Sequence, residues 1–346
     1  MPRLDVEADH TTGRTGIPSI RRVDHFAFTV KDLDAAVRFL AEVLGGELCY
    51  IEGPVQDPQG DWMSRKLGVH PRAVAHVAMV RVGPHTNLEL FQYTAPRQRT
   101  AAVPLDGPGG RRMALRVEDV DAVAARLRRR PDTTVTCDAV CPTVQPGRSV
   151  RRVGFTTSWG MELQLCGTAD PLDARSAAAS PSAAGPAKVL GADHLALTVG
   201  DLAASVRFFT DVIGASPLPP RSPRERSGAP TRAHLRLGPT DRIELRQYEG
   251  NGVPPAPGNS DVGGSHLAFH VDDVDTAAAY LRSQPGVRVM GEPETITGGP
   301  IEGNRWVYFT TPIGVQMEIL RMPDGRLPYE RTTAARRASS HSFVWA

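Results

Sequence analysis

The pattern of apolar and polar positions near the start of the chain predicts a strand followed by a helix. In residues 23–45 (VDHFAFTVKDLDAAVRFLAEVLG), apolar side chains first alternate with polar ones and then recur at helical spacing. Asp32 offers an N-cap oxygen to the helix, and Gly45 can adopt the left-handed conformation that ends it. Strand-like runs follow at residues 75–82 and 87–93, so this region has the predicted order strand, helix, then further strands.

The same pattern occurs again later in the chain. Residues 192–214 (ADHLALTVGDLAASVRFFTDVIG) match residues 23–45 without a gap. Residues 265–289 match residues 111–135, and residues 308–319 (YFTTPIGVQMEI) match residues 154–165 (GFTTSWGMELQL). Repeated self-similarity of this kind indicates a repeated structural unit. We therefore predict four modules, each with a strand, a helix and about three strands, at about residues 20–95, 108–167, 188–250 and 262–321.

Length and composition predict two domains. A chain of 346 residues with 40% hydrophobic residues can bury a core in each half. We predict domains at residues 18–167 and 188–322, joined by a flexible linker at 168–187 that is rich in Ala, Ser and Pro. The polar ends predict a disordered tail at residues 1–17 and a disordered or loosely docked tail at 323–346.

Charge and cysteine content exclude several classes of protein. The net charge of +2 is spread along the chain, without the dense basic stripe of a nucleic-acid-binding protein. No apolar run approaches the ~20 residues that span a membrane, and the N-terminus lacks the apolar stretch of a signal peptide. Four cysteines do not form a disulfide framework in a chain of this length. These features predict a cytoplasmic protein that binds neither nucleic acid nor membranes.

Histidine and glutamate recur on the predicted strands at matching places of the modules. The first strand carries the histidine and the last carries the glutamate: His25 and Glu89 in module one, His194 and Glu244 in module three, and His266 and Glu318 in module four. In module two, Arg112 stands where His266 stands, and the carboxylate of the last strand is Glu162. A glutamate between apolar strand neighbours points away from them, into solvent or into a barrel. Two imidazoles and two carboxylates suit a divalent ion such as Zn, Ni, Co, Mn or Fe(II).

These motifs resemble the vicinal-oxygen-chelate (VOC) superfamily of glyoxalases, bleomycin-resistance proteins and dioxygenases. The resemblance lies in the strand-borne His and Glu and in the opening DHxxxxVxDLxxxxxFxxxVLG, and it covers about residues 20–321. It implies an α+β fold in which four βαβββ modules pair into two half-open barrels. Because Arg112 removes one ligand position from one barrel, it also implies one divalent metal ion per chain, with no organic cofactor.

Two arrangements of the complete site are open. If neighbouring modules pair, as in ring-cleaving dioxygenases, the metal ligands are His194, Glu244, His266 and Glu318. If the pairing crosses over, as in fused glyoxalase I chains, the ligands are His25, Glu89, His266 and Glu318. The crossover is favoured because modules one and four carry long segments, at residues 54–72 and 297–306, that the other modules lack or replace. These two segments are expected to build one pocket together.

The resemblance implies a metal-dependent isomerase, epimerase or lyase that removes a proton next to a carbonyl. Glu318 and Glu89 (or Glu244) are the implied catalytic carboxylates, and the partner is a small substrate with vicinal oxygens. The chain resembles in organisation the tandem VOC epimerases of secondary metabolism that act on the cyclitol 2-epi-5-epi-valiolone. An Fe(II) extradiol dioxygenase and a non-catalytic drug-binding resistance protein are the alternatives, and a fourth ligand argues against both. The expected oligomeric state is a monomer or homodimer.

Overall fold

The computed structural model describes residues 15–107, 109–142, 148–171, 187–219, 230–249, 257–331, 333 and 344–345. Most of the predicted N-terminal tail and most of the predicted linker lie outside these residues. No helix in the described part of the chain has the length and apolar character needed to cross a bilayer. None of the four cysteines, all of which lie among the described residues, forms a disulfide.

The elements follow the predicted modules. Module one contains β1 (Ile20–Thr29), α1 (Leu33–Leu44), β2 (Glu47–Gln56), α2 (Trp62–Leu67), β3 (Val74–Val82) and β4 (Thr86–Thr94). Module two contains β5 (Arg111–Val117), α3 (Val120–Arg128), β6 (Thr133–Pro142), β7 (Arg148–Thr157) and β8 (Glu162–Pro171). Module three contains β9 (Val189–Thr198), α4 (Leu202–Arg207, continued as a π-helix over Phe208–Ile213), β10 (Ser216–Leu218), β11 (Thr231–Leu237) and β12 (Asp241–Gln247). Module four contains β13 (Ser265–Val271), α5 (Val274–Arg282), β14 (Arg288–Val289), β15 (Glu294–Thr295), β16 (Arg305–Thr310) and β17 (Gln316–Arg321), and a 3₁₀ turn follows at Pro328–Arg331.

The strands form two mixed sheets, and each sheet takes one module from each half of the chain. The first has the order β14-β16-β17-β13-β1-β4-β3-β2, and the second has the order β10-β11-β12-β9-β5-β8-β7-β6. The contact between modules is antiparallel, β1 with β13 and β5 with β9, whereas the first and last strands of a module are parallel. The protein therefore has the predicted α+β fold with two half-barrels. Module one pairs with module four across the chain, so the alternative of neighbour pairing is wrong.

Local signals in the repeated sequence fix where the helices begin and end. Asp32, Asp119, Asp201 and Asp273 each precede a helix and accept a hydrogen bond from the backbone N–H three residues later. This bond satisfies an amide that the first helical turn leaves free. Gly45 then ends α1 with φ of 66°, as the sequence predicts.

Alternation along the strands separates the core from the interior of the barrel. On β1, Phe26 and Phe28 belong to the apolar core that also contains the buried face of α1, whereas Ala27 belongs to a different cluster on the opposite face. The core joins the two barrels, because Phe39 of α1 packs against Phe155 and Trp159 at ring-centroid distances of 6.0 and 5.6 Å. The opposite face, which carries His25, is left to line the barrel.

The C-terminal segment, expected from sequence to be disordered or loosely docked, makes packing contacts at some of its described residues. Tyr329 is buried, and its ring lies 5.2 Å from that of Tyr50 on β2. Trp345 is also buried and donates a hydrogen bond from Nε1 to the Gly214 carbonyl at 2.7 Å. Aromatic side chains thus anchor a segment whose polar composition gives little sign of packing.

Candidate metal centre

The pairing of β1 with β13 brings the histidine and glutamate positions of modules one and four to one place. Ala27 on β1 pairs with His266 on one side and with Glu89 on the other. Ala268 on β13 pairs with His25 on one side and with Glu318 on the other. Because directly paired residues of neighbouring strands project to the same face, all four side chains enter the barrel together.

The four side chains form a compact cluster. Nε2 of His25 lies 3.1 Å from Glu89 Oε2 and 3.4 Å from Glu318 Oε2. Nε2 of His266 lies 3.5 and 3.4 Å from the same two oxygens, and the two Nε2 atoms are 3.2 Å apart. Ligand atoms held at about 2.1 Å around one ion are separated by about 3.0–3.4 Å in octahedral or tetrahedral arrangements. The donor spacing therefore fits a single divalent ion.

Neighbouring side chains hold each imidazole with Nε2 toward the cluster. Asp24 Oδ1 lies 2.9 Å from Nδ1 of His25, and Asn259 Oδ1 lies 3.3 Å from Nδ1 of His266. An acceptor at Nδ1 favours the tautomer whose Nε2 carries the lone pair that a metal ion needs. The sequence analysis did not identify Asp24 or Asn259. The aspartate could have been found, because it precedes the first-strand histidine in both halves of the chain.

The electrostatics of the cluster favour a cation. Burial opposes protonation of His25, but the charges and hydrogen bonds of Glu89 and Glu318 outweigh it and raise the pKa of His25 to about 10. Burial would likewise raise the pKa of Glu89, but His25, together with His266, holds that pKa well below its usual range. Two buried carboxylates need positive charge beside them. A divalent ion on these four donors satisfies that need more fully than a proton on one imidazole.

A cavity of about 510 Å³ opens onto Glu89 and Glu318. Its wall includes Val55, Trp62 and Leu67 from the long segment of module one, and Thr297, Ile301, Asn304 and Trp306 from the Gly-rich segment of module four. The two elaborated segments thus build one pocket together, as the sequence predicts. Trp62 also ties the two modules, because its Nε1 donates to both carboxylate oxygens of Glu294 at 3.0 and 3.2 Å.

Three residues of the pocket lining carry a buried polar atom without a partner among the described residues. Tyr50 Oη, Asn304 Oδ1 and Trp306 Nε1 are buried, and none has a hydrogen-bond partner among the described residues. Burial, with the nearby charge of Glu89, raises the pKa of Glu52, which also lines the pocket. Tyr308 Oη lies 3.3 Å from Nε2 of His266. Buried polar groups are normally paired, so these three residues of the lining carry unsatisfied hydrogen-bonding capacity. Tyr50, Glu52 and Tyr308 were not identified from sequence.

The other predicted residues lie in the second sheet and do not join this cluster. His194 and Glu244 occupy positions on β9 and β12 equivalent to those of His25 and Glu89. Because β9 pairs with β5, the facing residue at the His266 position is Arg112. Among the described residues, no second group of three or more potential ligands comes as close together as the cluster of modules one and four.

A second ligand position is also changed in that sheet. β8 pairs Gln164 with Ala114, as β17 pairs Glu318 with Ala268. Gln164, rather than Glu162, is therefore the equivalent of Glu318. The expectation of a single lost position at Arg112 is corrected to two, because a neutral amide replaces one carboxylate.

Guanidinium groups supply positive charge to the second barrel. Burial would raise the pKa of Glu244, but Arg246, with His194, Arg232 and His234, holds that pKa well below its usual range. Arg246 Nε makes a short charge-assisted hydrogen bond to Glu244, and Arg232 Nε lies 3.5 Å from the same oxygen. Arginine thus supplies the positive charge beside the buried carboxylate of Glu244.

Similarity to a known protein extends over nearly the whole chain. A 2-epi-5-epi-valiolone epimerase from Actinomyces sp is 32% identical over 325 residues, which are 94% of this chain and 91% of that protein.

Solved structures with low sequence identity share the fold. Glyoxalase I from Zea mays matches with a TM-score of 0.57 at 19% identity, over 87% of this chain and 92% of that one. A putative dioxygenase from Bacillus subtilis matches with a TM-score of 0.57 at 15% identity, over 89% and 87% of the two chains. The family profile of the Glyoxalase/Bleomycin resistance protein/Dioxygenase superfamily matches residues 22–162 and 191–319. Those two stretches make up most of the chain and contain most of the strands of both barrels. The chain therefore belongs to this superfamily.

Proposed function

We propose that the protein is a divalent-metal-dependent epimerase acting at a carbon next to a carbonyl of a small polyhydroxylated ketone. The observation that carries the proposal is the convergence of His25, Glu89, His266 and Glu318 on one point at the floor of a cavity. The similarity to a 2-epi-5-epi-valiolone epimerase supports this reaction and a cyclitol of that kind as the substrate.

The four side chains would hold the ion, and two of them also suit proton transfer. A bound divalent ion supplies charge stabilisation for the substrate oxygens, typically several kcal/mol. Glu89 on β4 and Glu318 on β17 approach from opposite sides, because the local strand order is β17-β13-β1-β4. One carboxylate can take the α proton from one face of the substrate while the other returns a proton to the opposite face. General acid–base help of this type contributes about 10²- to 10⁴-fold.

The lining of the cavity supports a hydroxyl-rich substrate. The unpartnered Tyr50 Oη, Asn304 Oδ1 and Trp306 Nε1 offer two donors and two acceptors, and the Glu52 carboxyl adds another polar group. Rings such as Phe91 and Trp306 offer apolar faces for the carbon skeleton of a sugar-like ring. The fourth protein ligand counts against an extradiol dioxygenase, which uses two His and one Glu, and against a drug-binding protein without a metal quartet.

Metal content tests the ligand set. Protein purified without added metal should contain one equivalent of a divalent metal by elemental analysis. His25→Ala and His266→Ala should lose it, because each removes one donor, while the matched variant His194→Ala in the other barrel should keep it. Two tightly bound equivalents in the wild type, or full metal content in His25→Ala, would contradict the proposal.

Isotope exchange tests the reaction. In deuterated water, the metal-loaded protein should incorporate deuterium at the α carbon of 2-epi-5-epi-valiolone, observed by NMR, without consuming oxygen. Glu318→Gln should abolish the exchange, and Glu162→Gln, in the other barrel, should not. Oxygen uptake with cleavage of a catechol, and no exchange into the hydroxyketone, would assign the protein to the dioxygenases instead.

A further inference from the structure

The second barrel contains buried positive charge at positions that are uncharged or metal-ligating in the first. The strand registers place arginines at three interior positions whose first-barrel equivalents are a valine, a phenylalanine and a histidine: Arg232, Arg246 and Arg112, respectively. Glu244 takes up the charge of Arg246 and part of that of Arg232. Arg112 has a longer contact, 3.4 Å from Nη1 to Glu162 Oε1, and its Nε has no hydrogen-bond partner among the described residues.

Arg111 precedes Arg112 on β5 and has fewer compensating contacts than these three interior arginines. The residue is only 7% exposed, and Nη1 donates one long hydrogen bond of 3.4 Å to the Gly263 carbonyl. Its Nε has no partner in the described part of the chain. Burial lowers the pKa of Arg111 to about 10 and no carboxylate raises it, so the guanidinium is still a cation at neutral pH. A buried charge without a counter-ion is strongly unfavourable, and a guanidinium offers five donors.

Both arginines line a cavity of about 460 Å³ whose wall comes mostly from the second barrel, with Phe28, Thr29 and Gly263 contributed by the first. The volume lies in the range of about 300–1,000 Å³ that is usual for small-molecule sites. The threonines Thr136 and Thr156 lie on the wall, and the acidic residues of the lining are Glu162 and the exposed Asp106. This cavity shares no lining residue with the one above the four-ligand cluster.

We propose that this cavity is a binding site for a small metabolite carrying an oxyanion, a phosphate or a carboxylate, with Arg111 as its counter-ion. The planar fork of a guanidinium matches both groups, because two parallel N–H groups can bond two oxygens of one anion. Bound there, the anion supplies the negative charge that Arg111 lacks. Arg112 and the threonine hydroxyls provide further donors along the wall. The barrel that lost its metal ligands is in this way a separate ligand site.

A thiol reports directly on occupancy of the cavity. Cys137 is exposed and lines it, Cys49 and Cys166 are buried, and Cys141 is half-buried. In the full chain carrying Cys141→Ser, the rate of alkylation of Cys137 by neutral iodoacetamide can be followed by mass spectrometry. Inorganic phosphate and succinate, each titrated at constant ionic strength against chloride, are the probes. At least one of them should slow alkylation saturably, and the stronger probe identifies which oxyanion the site prefers.

Substitution of Arg111 distinguishes binding of the anion in this cavity from a general effect of positive charge on the protein. Arg111→Met should raise the half-protecting concentration about tenfold or more, the loss expected for a hydrogen bond to a charged group. The matched variant Arg116→Met, which removes an exposed arginine from the same strand, should leave protection unchanged. If Arg111→Met does not fold, Arg111→Lys keeps the charge without the fork and should still weaken protection. Equal protection in the Arg111 variant and the wild type, or protection by neither anion, would overturn the proposal.

Discussion

Replacing Asp24 by asparagine tests whether the imidazole of His25 is held as a metal ligand. The two side chains are buried, and Asp24 Oδ1 lies 2.9 Å from Nδ1. The carboxylate accepts a hydrogen bond from Nδ1–H, orients the ring, and increases the basicity of Nε2, which faces Glu89 and Glu318. Asparagine keeps the size of the side chain but loses its negative charge, so His25 should be a weaker donor in Asp24→Asn.

The expected effect can be given as a change in affinity. Loss of a supporting group behind a metal-binding histidine typically lowers metal affinity by about 10- to 100-fold. This corresponds to about 1.4–2.8 kcal/mol of binding free energy. The dissociation constant for Zn²⁺, measured by competition with a chelator of known affinity, should therefore rise by that factor in Asp24→Asn.

The internal repeat provides a matched control for this variant. Asp193 lies 2.6 Å from Nδ1 of His194 in the second barrel, in the same sequence context and equally buried. Asp193→Asn should leave Zn²⁺ affinity unchanged, because the second barrel lacks the four-ligand cluster. Unchanged affinity in Asp24→Asn, or an equal loss in both variants, would refute the reasoning that ties Asp24 to a bound metal.

Two further substitutions test stability. Burial raises the pKa of Asp241 from 3.8 to about 6 in the folded protein. The stabilising contribution of the neutral carboxyl is therefore complete below pH 3.8 and is lost as the pH rises through about 6. The free energy of unfolding should fall by about 3 kcal/mol over that range. In Asp241→Asn, the free energy of unfolding in urea should fall correspondingly less between pH 4 and 7 than in the wild type, and an identical pH dependence would contradict this assignment. Tyr329→Ala removes a buried ring that packs on Tyr50, and should lower the free energy of urea unfolding by about 3 kcal/mol; a loss well below 1 kcal/mol would mean that the C-terminal segment contributes little to the fold.

The repeated sequence predicted the modules and the candidate ligands, but the repeat itself could not select their partners, and only the long segments at residues 54–72 and 297–306 favoured the crossover. The sequences around His25 and His194 are nearly the same, so β1 and β9 are equally suitable neighbours for β13 by their local pattern. Which strand pairs with β13 is decided by packing between residues far apart in the chain. The helix N-caps, in contrast, were predictable because each depends on an aspartate and an amide three residues later.

In the second barrel, apolar alternation alone could not identify the residue equivalent to Glu318. Glu162 and Gln164 lie two residues apart on one strand and therefore project to the same face, so apolar alternation does not distinguish them. The gap-free match of residues 154–165 with 308–319 distinguishes the two residues, because it aligns Gln164 with Glu318. The contribution of Arg246 to charge balance could not be read from sequence, because it depends on a side-chain contact with Glu244.

The pairing of strands across the chain has a consequence for biosynthesis. Until β13 and β9 emerge from the ribosome, β1 and β5 each have an unpaired edge next to an apolar face. Contacts between strands so far apart in sequence form slowly, and exposed edges during that interval favour association. The β13 strand of a second nascent copy could pair with the exposed edge of β1 in the same way as the chain's own β13. Release of the last module is therefore the step at which the chain either closes on itself or exchanges modules with a neighbour.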